Sequence, residues 1–248
     1  MKLNSSQQKI AASLDLALQA AGSPEFAQKL QRYFADQIVS AGVPNQGVVD
    51  LVAAAHASFG GASVEDWLAV ADVFAQRNEF HEHMILASAI VSKVVRKIKD
   101  EGQLLLVFER WLGTSVNNWA QCDDMCIKPI YLYLKRRPHL LAEVVGWGKS
   151  DKPWVKRASN VALVKFVGRS EAADLNLVLA NCQRLLRDED VYVQKGIGWV
   201  LKVAAQYQPE PVLAFLRQHL AEIERSTLRY ALEKMPEGLR REIMRAEV

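Results

Sequence analysis

Ten residues from Trp154, reading Trp154-Val155-Lys156-Arg157-Ala158-Ser159-Asn160-Val161-Ala162-Leu163, lie over Tyr192-Val193-Gln194-Lys195-Gly196-Ile197-Gly198-Trp199-Val200-Leu201 at an offset of 38. Trp119-Ala120-Gln121-Cys122 fits the same pattern 35 residues before Trp154, and Phe80 opens a comparable stretch 39 residues before Trp119. Each time an aromatic begins a helix-periodic segment, and a polar or basic residue follows two or three positions on. A chain repeating at this period buries the apolar face of each unit against the next.

The remaining sequence is helical in pattern. Apolar residues recur at helical spacing nearly throughout, and no strand alternation appears. Ser23-Pro24-Glu25 offers a capping serine with proline at the first helical position, and Ser63-Val64-Glu65-Asp66 approaches a capping box. Breaks at Gly42-Val43-Pro44, Gly60-Gly61, Arg137-Pro138, Lys152-Pro153, Gln208-Pro209 and Met235-Pro236-Glu237-Gly238 divide the chain into about a dozen helices with short loops. Two helices per period of 35 to 40 residues match HEAT-like repeats. The expected fold is all-α: an α-solenoid of HEAT-like repeats with a concave, basic face, forming a single domain over residues 1–248. Stacking of equivalent helices brings Trp119, Asp123, Arg157, Lys195 and Trp199 together although they span 80 residues of chain.

Charge is unevenly placed. Residues 1–127 hold 10 Lys/Arg against 14 Asp/Glu, residues 128–169 hold 10 against 2, and residues 170–248 hold 11 against 12. A central block with a net charge of +8 is the footprint of a polyanion partner, or else a solvated helical face. No run of about 18 apolar residues is present, so no membrane span is expected. The first residues lack a signal-peptide pattern, and a cytoplasmic protein is expected. Three cysteines, Cys122, Cys126 and Cys182, form no disulfide framework. Cys122 and Cys126 lack further soft ligands nearby, so neither a metal nor any cofactor is expected. His81 and His83 diverge on a helix and read as partly exposed or hydrogen-bonded surface histidines.

Trp119 and Asp123 stand four residues apart, on one helical face that must be partly open to keep a carboxylate wet. The series Trp119-x3-Asp123, Trp154-x2-Arg157-Ala158 and Val193-Gln194-Lys195-Gly196-Ile197-Gly198-Trp199 resembles the AlkD-type DNA alkylation-repair glycosylases. Arg32-Tyr33-Phe34, Gly42-Val43-Pro44 and Ser226-Thr227-Leu228-Arg229-Tyr230-Ala231 extend the resemblance over nearly the whole chain. It implies hydrolytic release of purines alkylated at N3 or N7 from duplex DNA, by a monomer that reads backbone and sugar without pocketing the base. It further implies that Asp123 is the catalytic carboxylate, with Trp119 and Trp199 flanking the deoxyribose. Arg157 would be the paired basic residue at the cleft, and Tyr33 an amino-terminal DNA contact. Lys156, Lys195 and Lys202 complete the expected DNA-binding set. Lys202 stands where arginine is common in that family, and Gly196 where alanine is more usual.

The chemistry is coherent without the family. A purine alkylated at N3 or N7 is cationic and leaves readily, so one ionised carboxylate suffices to stabilise an oxocarbenium-like transition state. Indole faces add about 0.5–2 kcal/mol of attraction for a cation. Each residue also has a structural alternative: Trp119 as packing, Asp123 paired with Lys128 or capping a neighbour, and Arg157 and Lys195 in a buried salt bridge between repeats. Trp199 is expected to be more exposed than Trp67 or Trp147. A non-catalytic nucleic-acid-binding solenoid is the competing function.

Overall fold

The structure is a computed structural model that describes residues 3–169 and 174–245. Every regular element among them is helical, so the chain is all-α. The helices divide into two compact units. One comprises the chain up to Glu101 with Thr114–Asn117, the other Gly102–Gly113 with the chain from Asn118 onward.

The first unit contains α1 (Ser5–Ala21), α2 (Pro24–Gln31), α3 (Asn45–Ser58), α4 (Val64–Arg77) and α5 (His81–Val94). The expected caps are present: Ser23 accepts from the Phe26 amide, and Ser63 and Asp66 form a reciprocal capping box. α5 packs against α3 and α4. Every residue from His81 to Val91 is buried, the polar His81, Glu82, His83 and Ser88 among them, so the helix is covered all round. This corrects the expectation that His81 and His83 lie at the surface, since both are buried; the hydrogen-bonded alternative holds for His83, whose Nδ1 accepts from the Phe80 amide at 3.4 Å. They diverge as expected, but both sides of α5 are covered. His81 meets the edge of Phe34, and His83 lies between Phe74 and Phe80. Burial also pushes the His83 pKa down, against the pull of Asp15.

Glu82, on the same helix, is fully buried and clamps the preceding turn. Its carboxylate accepts from Ser40 Oγ at 2.6 Å and from the amides of Ala41, Gly42 and Val43 at 2.9, 3.0 and 3.1 Å. Gly42 has φ +80°, and a Cβ there would lie 1.9 Å from the Ser23 carbonyl oxygen, so the turn requires glycine twice over.

The second unit contains α6 (Gln103–Thr114), α7 (Trp119–Met125), α8 (Tyr131–Leu134), α9 (Leu141–Gly146), α10 (Pro153–Val161), α11 (Val164–Arg169), α12 (Leu175–Leu185), α13 (Val191–Ala205), α14 (Pro209–Gln218), α15 (Arg225–Ala231) and α16 (Glu237–Arg245). The aromatics that mark the repeat sit at helix starts: Trp119 opens α7, Trp154 follows Pro153 in α10, and Tyr192 is the second residue of α13. α10 packs on α7 on one side and on α13 on the other, so successive repeats stack. Val155, Ala158 and Val161 of α10, with Val193, Ile197, Val200 and Leu201 of α13, lie in the core. Trp67 and Trp147 are buried, as expected.

Candidate active site

α7 is short and firmly started. Asn118 accepts from the Gln121 amide at 3.1 Å, which fixes Trp119 as the first helical residue. One turn later Asp123 emerges on the Trp119 side. Trp119 is half-buried, and 12% of the Asp123 side chain remains exposed, so the shared face is open only narrowly. After Met125 the helix widens into a π-turn over Cys126–Ile130. Pro129 lies within it and lacks the N–H that would close a regular turn. Lys165 donates to the Ile127 carbonyl oxygen at 2.7 Å in this stretch. Lys128 pairs with Asp124, not with Asp123.

Asp123 is instead held by Arg157 from α10. Nε donates to Oδ1 and Nη2 to Oδ2, both at 2.8 Å, forming a two-pronged fork. The third guanidinium nitrogen, Nη1, donates to the Tyr192 carbonyl oxygen at the start of α13. One side chain therefore ties three successive repeats together. Two parallel bonds require two acceptor oxygens, which only the ionised carboxylate supplies. Burial pushes the Asp123 pKa above the usual carboxylate range, and the Arg157 guanidinium pulls in the opposite direction. Burial disfavours the charge on Arg157 as well, but Asp123 more than offsets this and its pKa is raised.

The most distinctive block of the sequence acquires a structural account on α13. Gln194 Nε2 donates to the carbonyl oxygens of Leu185, Leu186 and Asp188, closing the end of α12. Gly196 lies against Arg157, where an added Cβ would meet Cγ at 3.4 Å. Gly198 lies closer to α15, where a Cβ would meet Tyr230 Cδ1 at 2.9 Å. On the outer side of α13, Tyr192, Lys195, Trp199 and Lys202 form a stripe at helical spacing, with Trp199 half-buried.

The expected DNA-binding cations fare differently from one another. Arg157 is buried in the pair with Asp123, the structural alternative for this residue, yet that pair is also the centre of the site. Lys156 is paired with Asp188, both largely buried. Lys202 lies 3.5 Å from Glu233 and 4.0 Å from the centre of the Tyr230 ring. Lys195 is exposed, with no carboxylate partner among the described residues, and its Nζ lies 5.3 Å from the centre of the Tyr192 ring. Tyr33 belongs to the other unit, where it is 66% exposed. Two participants were not singled out from sequence. Tyr192 reads as a packing aromatic, and its role as a carbonyl acceptor leaves no side-chain signature. Asp188 was visible as part of the acidic Asp188-Glu189-Asp190 run opposite the basic block.

No group of three or more His, Cys, Asp or Glu among the described residues could hold a metal ion. Cys122, Cys126 and Cys182 are buried free thiols, and burial pushes the pKa of Cys126 and Cys182 up. No helix among the described residues is long and apolar enough to cross a membrane.

Comparison with solved structures finds the same all-helical fold at low identity. A predicted DNA alkylation repair enzyme from Enterococcus faecalis superposes with a TM-score of 0.76 at 16% identity, covering 87% of this chain and 97% of that one. AlkD2 from Streptococcus mutans gives 0.58 at 16% identity, covering 86% and 98%. The Pseudomonas fluorescens alkylpurine DNA glycosylase AlkC, bound to DNA containing an abasic site analog, gives 0.53 at 18% identity, covering 98% of this chain and 66% of that one. No curated protein matches. The profile of the DNA alkylation repair enzymes matches residues 14–235, nearly the whole length, and the chain belongs to that family.

Proposed function

We propose that this protein is a monofunctional DNA glycosylase that hydrolyses the N-glycosidic bond of purines alkylated at N3 or N7 in duplex DNA. The observation that carries the reading is the Asp123 carboxylate, fixed by a two-pronged Arg157 beside the half-buried Trp119. As the C1′–N bond breaks, its electron pair neutralises the cationic purine and positive charge builds on the sugar. Asp123 stabilises that charge and orients a water, which adds to C1′ and releases its proton. The base leaves neutral, so no strong general acid is needed. Trp119 and Trp199 flank the sugar and offer indole faces to the cation. In this reading the basic face of the HEAT-like repeats takes the duplex, and the base needs no protein pocket. The protein acts as a monomer in the cytoplasm, without a cofactor. The likeness to AlkC, an alkylpurine glycosylase solved on DNA, supports both substrate and partner.

One observation favours a second reading, a non-catalytic DNA-binding relative. Both Asp123 oxygens already accept from Arg157, and three of the four expected cations of this unit have carboxylate partners. Incubation with methylated duplex DNA separates the two. The proposal expects free 7-methylguanine, lost in Asp123→Asn while duplex binding persists. Tight binding by the parent without any base release would establish the second reading.

A further inference from the structure

Lys195 occupies the repeat position of Arg157, yet its fate is opposite. Arg157 folds back onto Asp123, which lies four residues after Trp119 in the preceding repeat. The corresponding residue after Trp154 is Ala158, so Lys195 meets no carboxylate there. It remains exposed, above an aromatic pair: its Nζ is 5.3 Å from the Tyr192 ring centre, and Tyr192 lies 5.2 Å from Trp154, ring centre to ring centre. The Tyr192 backbone carbonyl oxygen accepts from Arg157 Nη1, and Arg157 holds Asp123. An exposed cation is thus connected to the carboxylate through one aromatic residue and one guanidinium. Trp199 lies one turn beyond Lys195 on the same stripe.

We propose that Lys195 is the phosphate anchor of this unit, and that Tyr192 and Trp154 are positioning residues that hold its ammonium at a fixed register from Asp123. A lysine on a four-carbon stem otherwise samples many rotamers, and an aromatic face beneath the ammonium narrows them without neutralising the charge. The contrast with Lys156 and Lys202 is chemical. Their ammonium groups have Asp188 and Glu233 as partners, which a phosphate would have to displace. The inference rests on the duplex-DNA reading of the site, and it does not require that the bond be cleaved.

The test is the salt dependence of binding to a duplex carrying an abasic-site analogue, measured for the parent, Lys195→Met, Lys195→Arg, Tyr192→Phe, Tyr192→Leu and the double variant Lys195→Met/Tyr192→Leu. Loss of one phosphate contact lowers the slope of log K against log salt by about 0.9. Lys195→Met should show that loss, and Lys195→Arg and Tyr192→Phe should keep the parent slope. Tyr192→Leu should lose part of it, and the double variant no more than Lys195→Met alone. A parent slope in Lys195→Met would overturn the anchor. Additive losses in the double variant would overturn the positioning role. Lys195→Met and Tyr192→Phe keep the test decisive if Tyr192→Leu unfolds. Base release is assayed separately. A parent that binds with the expected slope changes but releases no base refutes the glycosylase reading and leaves the anchor standing.

Discussion

Replacing Arg157 by methionine isolates the Asp123–Arg157 pair. The Arg157 side chain is 6% exposed and that of Asp123 12%, so the variant strands a nearly buried carboxylate and also leaves the Tyr192 carbonyl oxygen without Nη1. Removing one partner of a buried ion pair typically destabilises by about 3–5 kcal/mol, because the remaining charge is uncompensated. The residual exposure of Asp123 and its capacity to take up a proton place the expected loss near the lower end, about 3 kcal/mol. Asp123→Asn strands the guanidinium instead. The double variant Asp123→Asn/Arg157→Met strands no charge, so its loss should fall short of the sum of the single losses by about 2 kcal/mol. Urea unfolding at constant m-value measures all four proteins. Losses that add within about 0.5 kcal/mol would refute the argument, since uncoupled side chains cannot be an interdependent buried pair.

Under the proposed mechanism, in which the ionised Asp123 acts on the sugar, acidification should stop base release at a higher pH than an exposed aspartate would dictate, because burial raises the Asp123 pKa. The linkage sign is opposite for stability: a carboxyl raised on folding favours the folded state below its unfolded pKa, and that contribution fades as pH climbs through the folded pKa. Protonation of Asp123 should therefore abolish base release with the fold intact, as pH–rate profiles beside circular dichroism would reveal; an acid limb at or below the ordinary aspartate range contradicts this. Two glycines on α13 should respond differently to alanine. Gly196→Ala meets Arg157 at ordinary contact distance, and removing a mid-helix glycine should stabilise by about 0.5–1 kcal/mol. Gly198→Ala drives a Cβ to 2.9 Å from Tyr230 Cδ1 and 3.3 Å from the Thr227 carbonyl oxygen, where overpacking of about 1–3 kcal/mol should cancel or exceed that gain. Equal unfolding midpoints for the two variants would contradict the packing account.

The repeat was legible because its marker aromatics do the same job each time, opening α7, α10 and α13 at or beside the first helical residue. The Trp119–Asp123 face was legible for the same reason, since helical spacing alone places the two together. The fates of the basic residues were not. Arg157 and Lys195 share a repeat position, and only the residue opposite in the preceding repeat, Asp123 or Ala158, separates a buried fork from an exposed ammonium. Spacing within a repeat cannot show that, because the deciding partner lies 34 residues away. His81 and His83 misled in the same manner. Their mutual divergence was right, but the cover on both sides of α5 comes from Phe34 and Phe74 on other segments and from Phe80 at the start of the helix itself. The value of Gln194 to the end of α12 is likewise invisible until three carbonyl oxygens are seen to converge on it.

The π-turn at Cys126–Ile130 bears on how this gene can change in length. A π-turn is geometrically a helix carrying one surplus residue, and excising a residue there would restore regular winding. Because the wide turn already absorbs that residue, the excision would leave the helix before it and after it close to their present phase, whereas a residue lost from regular helix rotates one side by about 100° relative to the other. Trp119 and Asp123 lie before the turn and Tyr131 to Leu134 after it, so a helix shortened here can keep Tyr133 and Leu134 in the core with Asp123 still facing Arg157. Single-residue deletions within the turn should therefore be tolerated far better than deletions in α10 or α13, where no surplus residue stands ready to be lost.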